Sequence, residues 1–155
     1  MTHQLNFIYN DSDWIAPAEY PDLSQATEIA IDLETKDPNI KTKGPGWATF
    51  DGHIVGFAVA ALGQQWYFPI AHDAGGNMDL SITCAWMQDV LKTDATKIFH
   101  NASYDVGWLL VNGFEIRGKI VDTMIAAALI NENRFSFSLN ACAKDYLGEI
   151  KNETF

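Results

Sequence analysis

Positive charge is scarce in this chain. Ten Lys and Arg stand against twenty Asp and Glu in 155 residues, a formal net charge of −10. A protein that holds nucleic acid or anionic lipid mainly by its own field is basic, so that class is excluded, and any DNA ligand needs positive charge from another source. Long apolar runs are missing too. The longest stretch of apolar and glycine residues, Ile54 to Leu62, has nine members, about half of the roughly 20 that cross a bilayer, so no membrane partner is expected. Met1 to Ile8 lacks a basic patch followed by an apolar stretch and a small-residue cleavage site, which makes a cytoplasmic location the default. Cysteine is limited to Cys84 and Cys142, without CxxC spacing or a nearby histidine cluster. That argues against a zinc site and a disulfide framework, and both read as core thiols.

Apolar residues are plentiful at 48%, enough at this length for one buried core and not for two. Glu28 to Leu33 is β-branched and ends in polar residues, the pattern of a buried central strand. Ile54–Leu62 and Gln65–Ile70 flank Gly63-Gln64 and predict a β-hairpin. Apolar spacing at Ile82, Trp86, Met87, Val90 and Leu91 predicts an amphipathic helix over Leu80–Leu91. Lys97–His100 reads as a short strand, Ser103–Val111 as a helix stopped by Asn112-Gly113, and Lys119–Val121 as another strand. Asp122 caps a helix over Thr123–Ile130, and Ser138 caps one that ends at Leu147 before Gly148. A hairpin followed by alternating helices and strands belongs to the α/β class, a mixed sheet with flanking helices. Residues 1–26 form an N-terminal extension and 27–155 the domain. Lys36 to Gly46 gathers three of the ten basic residues with Pro38, Gly44 and Pro45, and is expected to be an exposed, mobile loop.

Asp32 and Glu34 are two apart near the end of the first strand, so alternation points both side chains to one face. A paired burial of like charges demands a cation, and hard oxygen ligands of high charge favour Mg²⁺ or Mn²⁺ over zinc. Taken alone, such a pair is more often a solvated strand end. A second cluster, His100 to Asp105, follows a strand and opens a helix, the place where open α/β sheets build their sites. Asp105 is thereby brought toward Asp32 and Glu34; its plainer role is a first-turn acid favoured by the helix dipole.

Ile31-Asp32-Leu33-Glu34-Thr35 and Asn101-Ala102-Ser103-Tyr104-Asp105 resemble the first two motifs of the 3′–5′ exonuclease superfamily with four catalytic acids. The resemblance is greatest to the proofreading domain of family A DNA polymerases. Tyr67–Asp73, Gly113–Gly118 and Val121–Met124 look like the same domain, so the resemblance covers residues 27 to 150. It implies a ribonuclease H-like fold and hydrolysis of DNA 3′ ends with two divalent cations, Mg²⁺ or Mn²⁺. It further implies that Asp32 bridges the ions, that Glu34 ligates the first and orients the attacking water, and that Asp105 holds the second. Thr35, Asn101 and Tyr104 lie along the terminal nucleotide on the same reading. The cations then supply the positive potential an acidic protein lacks.

The family's third motif, Tyr or His followed three or four residues later by Asp, is not reached before Phe155. Tyr9-Asn10-Asp11-Ser12-Asp13 has the spacing but precedes the first strand. His100 stands five before Asp105, which already belongs to the second motif, and reads as a packed or solvated side chain. Asp122 reads as a cap rather than a fourth acid. With three of four acids, the 155-residue chain is expected to be weakly active or inactive alone. The missing closing helix is expected to bare apolar sheet surface, favouring self-association or completion by a partner such as a polymerase domain of the parent protein. Rival readings are a 3′–5′ exoribonuclease of the same superfamily and a non-catalytic remnant or structural module of a replication protein.

Overall fold

The structure, a computed structural model, describes residues 15–149. Five strands form one sheet among them: β1 (Glu28–Lys36), β2 (His53–Ala61), β3 (Gln64–Pro69), β4 (Thr96–Phe99) and β5 (Ile120–Asp122), in the order β3-β2-β1-β4-β5. The β-branched run of β1 takes the central place. It is antiparallel to β2 and parallel to β4, and β4 is parallel to β5.

Alternation decides how each strand is used. Ile29, Ile31 and Leu33 of β1 meet Phe57 and Val59 of β2 on one face, which is packed by Met87, Val90 and Leu91 of α3 (Leu80–Lys92) and Trp108 and Leu109 of α4 (Ala102–Val111). Lys97 of β4 also points inward. It is wholly buried, its ammonium bound by the carbonyl and hydroxyl of Thr93 and by the Arg117 carbonyl, so the charge is fully partnered. Tyr20 extends the packing ahead of β1: it stacks on Phe68 and shares a 2.7 Å hydrogen bond with Thr83. The opposite face of the sheet carries Ala30, Asp32, Ala58, Ala60, Tyr67 and Ile98 along an open groove of about 800 Å³.

Helices α5 (Thr123–Ile130) and α6 (Leu139–Leu147) have the predicted bounds, because both carry their own caps: Asp122 accepts from Met124 and Ile125, Ser138 from Ala141, and Gly148 closes α6 at φ 72°. Three expectations need correction. The hairpin turn is Leu62-Gly63, one residue earlier than Gly63-Gln64, with φ 53° and 74°. Pairing of Ala61 with Gln64 leaves only those two residues between the strands. The Lys36–Gly46 segment is not a free loop. β1 runs to Lys36, and the short helices α1 (Ile40–Lys43) and α2 (Gly46–Thr49) follow, with Gly46 buried and Asn39 donating to Asp51 at 2.6 Å. Cys84 and Cys142 are unpaired and only half-buried: Cys84 packs against the edge of the core, and the Cys142 thiol meets the Phe137 carbonyl. Ile82 also faces outward at 57% exposure. The Tyr9–Asp13 stretch lies outside the described residues.

Candidate active site

The site grows from the end of β1. Asp32 and Glu34 project from its outer face, as the alternation predicts, while Ile31 and Leu33 anchor the other. The ladder with β2 slips between Glu34 and Thr35, a β-bulge where the strand reaches the site. Glu34 pairs with Gly56, and glycine is required there: an added Cβ would lie 2.1 Å from the Tyr67 hydroxyl. Tyr67 therefore lies across the strand beside Glu34, hydrogen-bonded to the His72 ring. Burial, reinforced by the charge of Glu34, pushes its phenol up to about 12, so it stays protonated.

The third acid comes from α4. Asp105 is 3% exposed, one helical turn in from Asn101. Burial pushes its carboxyl up to about 7, and the charges of Asp32, Asp122 and Glu34 add to the effect against a hydrogen bond from the Leu33 backbone. Sixty or more residues apart in sequence, Asp105 and the Asp32/Glu34 pair thus share one electrostatic neighbourhood. The start of α4 is set from outside the helix. Asn101 adopts the left-handed conformation at φ 68° and makes no side-chain cap of its own. The carboxylate of Asp122 accepts instead from the Asn101 and Ala102 amides at 3.1 and 2.8 Å, while also capping α5. Burial works against that charge, but the four backbone donors outweigh it and hold the Asp122 carboxyl below its ordinary value. Asp122 is a double cap, and its second helix was not foreseen.

Beside the acids, the Thr35 and Tyr104 hydroxyls are 2.8 Å apart, and Tyr104 donates to Asp37 at 2.9 Å. The Asn101 side chain accepts from Ser103 and is half-buried. His100 is packed as expected, its ring bonded to Thr123 and to the Phe137 carbonyl. Asp37, Tyr67 and His72 are not among the site residues read from the sequence; Tyr67 and His72 lie in the Tyr67–Asp73 stretch that resembles the family, and Asp37 stands three after Glu34.

A buried carboxyl such as that of Asp105, its proton held on by burial and by the charges around it, suits a divalent cation, which reverses the penalty. Among the described residues no three His, Cys, Asp or Glu close on a point as direct ligands of one ion. In general Mg²⁺ needs only one or two protein carboxylates, with water completing its shell.

Known proteins resemble this chain in sequence and in fold. The DNA-directed DNA polymerase of Pseudomonas phage M6 is 34% identical over 154 residues, which is 95% of this chain and 23% of that protein, so the chain spans under a quarter of its relative's length. Brucella melitensis NrnC with bound Mg²⁺ superposes with a TM-score of 0.61 at 19% identity, over 88% of this chain and 62% of that one. Escherichia coli RNase D, an exoribonuclease involved in structured RNA processing, gives 0.60 at 18%, over 85% and 31%. These likenesses establish the ribonuclease H-like fold. No helix among the described residues is long and apolar enough to cross a membrane. Since the sequence profile described as 3′–5′ exonuclease matches residues 20–154, nearly the whole chain including every acid discussed above, the chain belongs to that exonuclease family.

Proposed function

We propose that this chain is the exonuclease part of a cytoplasmic DNA polymerase and removes nucleotides one at a time from single-stranded DNA 3′ ends, with two divalent cations, Mg²⁺ or Mn²⁺, at Asp32, Glu34 and Asp105. The observation that supports it most is the buried carboxyl of Asp105 held up to about 7 in the company of Asp32 and Glu34. A charge conflict at a strand end, next to hydroxyls that can meet a nucleotide, is the electrostatics of a cation site. When bound, the cations supply Lewis acidity and neutralise charge on the leaving 3′ oxygen. Asp32 would serve both cations. Glu34, exposed on the outer face of β1, accepts a hydrogen bond from the attacking water and orients it. Asp105, in the first turns of α4, would help to hold the second cation. Thr35, Tyr104 and Asn101 hold the terminal nucleotide, and a polymerase domain in the parent protein supplies the rest of the DNA path.

Manganese titration followed by electron paramagnetic resonance tests the site, and 5′-end-labelled single-stranded DNA tests the reaction. Mn²⁺ binding that disappears in Asp32→Ala is expected, with slow shortening of the DNA from its 3′ end by the 155-residue chain. No binding above background overturns the proposal in favour of a non-catalytic module. Turnover confined to matched RNA ends overturns its DNA assignment.

A further inference from the structure

The residues that hold the nucleotide must themselves be held, and the structure shows by what. After Lys36 the chain turns, and Asp37 sends its carboxylate back toward α4. Oδ2 accepts from the Tyr104 hydroxyl at 2.9 Å and from the Gly46 backbone N–H at 2.8 Å. A phenol has one proton, and here the carboxylate takes it. The 2.8 Å contact between Thr35 Oγ1 and the Tyr104 hydroxyl must therefore run from threonine to tyrosine. Proton order is Thr35 to Tyr104 to Asp37.

Asp37 does a second thing. Its Oδ1 is buried with no hydrogen-bond partner among the described residues. A half-satisfied buried carboxylate is an unfavourable choice for anchoring a loop, where a fully paired neutral group serves better. Around it the 37–51 segment is pressed on α4: a Cβ added at Gly46 would come within 2.8 Å of the Trp108 ring, and one at Gly107 within 2.4 Å of the Trp47 ring. Tyr104 precedes Asp105, and Thr35 follows Glu34, so the relay is built into the two catalytic segments at once.

We propose that Asp37 is a positioning residue of the nuclease site: it locks the Tyr104 and Thr35 hydroxyls in one orientation beside the acids, setting affinity for the DNA 3′ end without ligating a cation. This rests on the function proposed above. The test measures fluorescence anisotropy of a 5′-labelled oligothymidine, with Ca²⁺ replacing Mg²⁺ to suppress turnover, alongside Mn²⁺ affinity. Asp37→Ala is expected to weaken DNA binding about tenfold, the scale of one charge-assisted hydrogen bond, with Mn²⁺ affinity unchanged. Asp37→Asn, which keeps an acceptor oxygen for both donors, restores binding. Tyr104→Phe leaves the Gly46 anchor intact and carries the test if Asp37→Ala does not fold; it is expected to reproduce the loss, and adding Asp37→Ala to it to change little more. DNA binding by Asp37→Ala equal to the parent overturns this inference alone, as do additive losses in the double variant. A parent chain that binds no DNA overturns the functional reading and this inference with it.

Discussion

Asp105 carries a stability consequence opposite to its chemical use. Its ordinary value is 3.8 and its folded value is about 7, so between those limits the native state binds more protons than the unfolded chain. Stability without divalent cations therefore falls as pH rises through that window, by at most about 4 kcal/mol from this group. Asp105→Asn is expected to flatten that slope and to melt above the parent at pH 8 in chelator, while Mn²⁺ raises the melting temperature of the parent only. Thermal melts at pH 5 and pH 8 check it; a parent no less stable at pH 8 relative to the variant would mean the carboxyl ionises freely. The facing of Asp32 and Glu34 was legible because strand alternation is a local rule. Asp37 was not, since its Tyr104 partner lies 67 residues away and nothing in its neighbours announces the contact.

Among the elements, Asp122 joins two helices. Its carboxylate receives amides from both α4 and α5, and two caps together contribute roughly 1–4 kcal/mol. Urea denaturation of Asp122→Ala should show a loss of that size, with Asp122→Ser between it and the parent; a loss under about 0.5 kcal/mol would mean that water replaces the side chain at both helix ends. Gly107 makes a contrary case. Alanine in a helix interior normally gains about 1 kcal/mol over glycine, but here its Cβ would overlap the Trp47 ring at 2.4 Å. Gly107→Ala is expected to destabilise and to speed amide exchange over residues 46–51; a stabilised variant would show that Trp47 gives way freely. The bounds of α5 and α6 were readable because each cap is adjacent in sequence. The turn at Leu62-Gly63 was misplaced because ladder register, not the turn residues alone, selected it. The short helices α1 and α2 were unreadable for a similar reason: four residues each carry no periodicity, and α2 is held by packing on α4 and α1 by packing on α2.

On the scale of the whole molecule, one face of the sheet is packed and the other carries the open groove, whose lining includes exposed Ile15 and Leu139; Leu129, Ile130, Phe135 and Leu147 are exposed as well. Apolar surface on that scale is associated with contacts between chains. Sedimentation velocity of the 155-residue chain is expected to show species larger than a monomer, growing with concentration, and a clean monomer throughout would refute it. Net charge of −10 also means that DNA binding should depend on divalent cations and collapse on chelation. The sequence by itself determined the α/β class, the order of the strands and the longer helices, the faces of Asp32 and Glu34, and the family, because these follow from periodicity, local capping and contiguous motifs. Only the tertiary structure decided that Asp105 shares a charged neighbourhood with that pair, that Asp122 governs two helix starts, and that Asp37 reaches Tyr104. Those depend on segments far apart in the chain, and no local rule relates side chains before the sheet has brought them together.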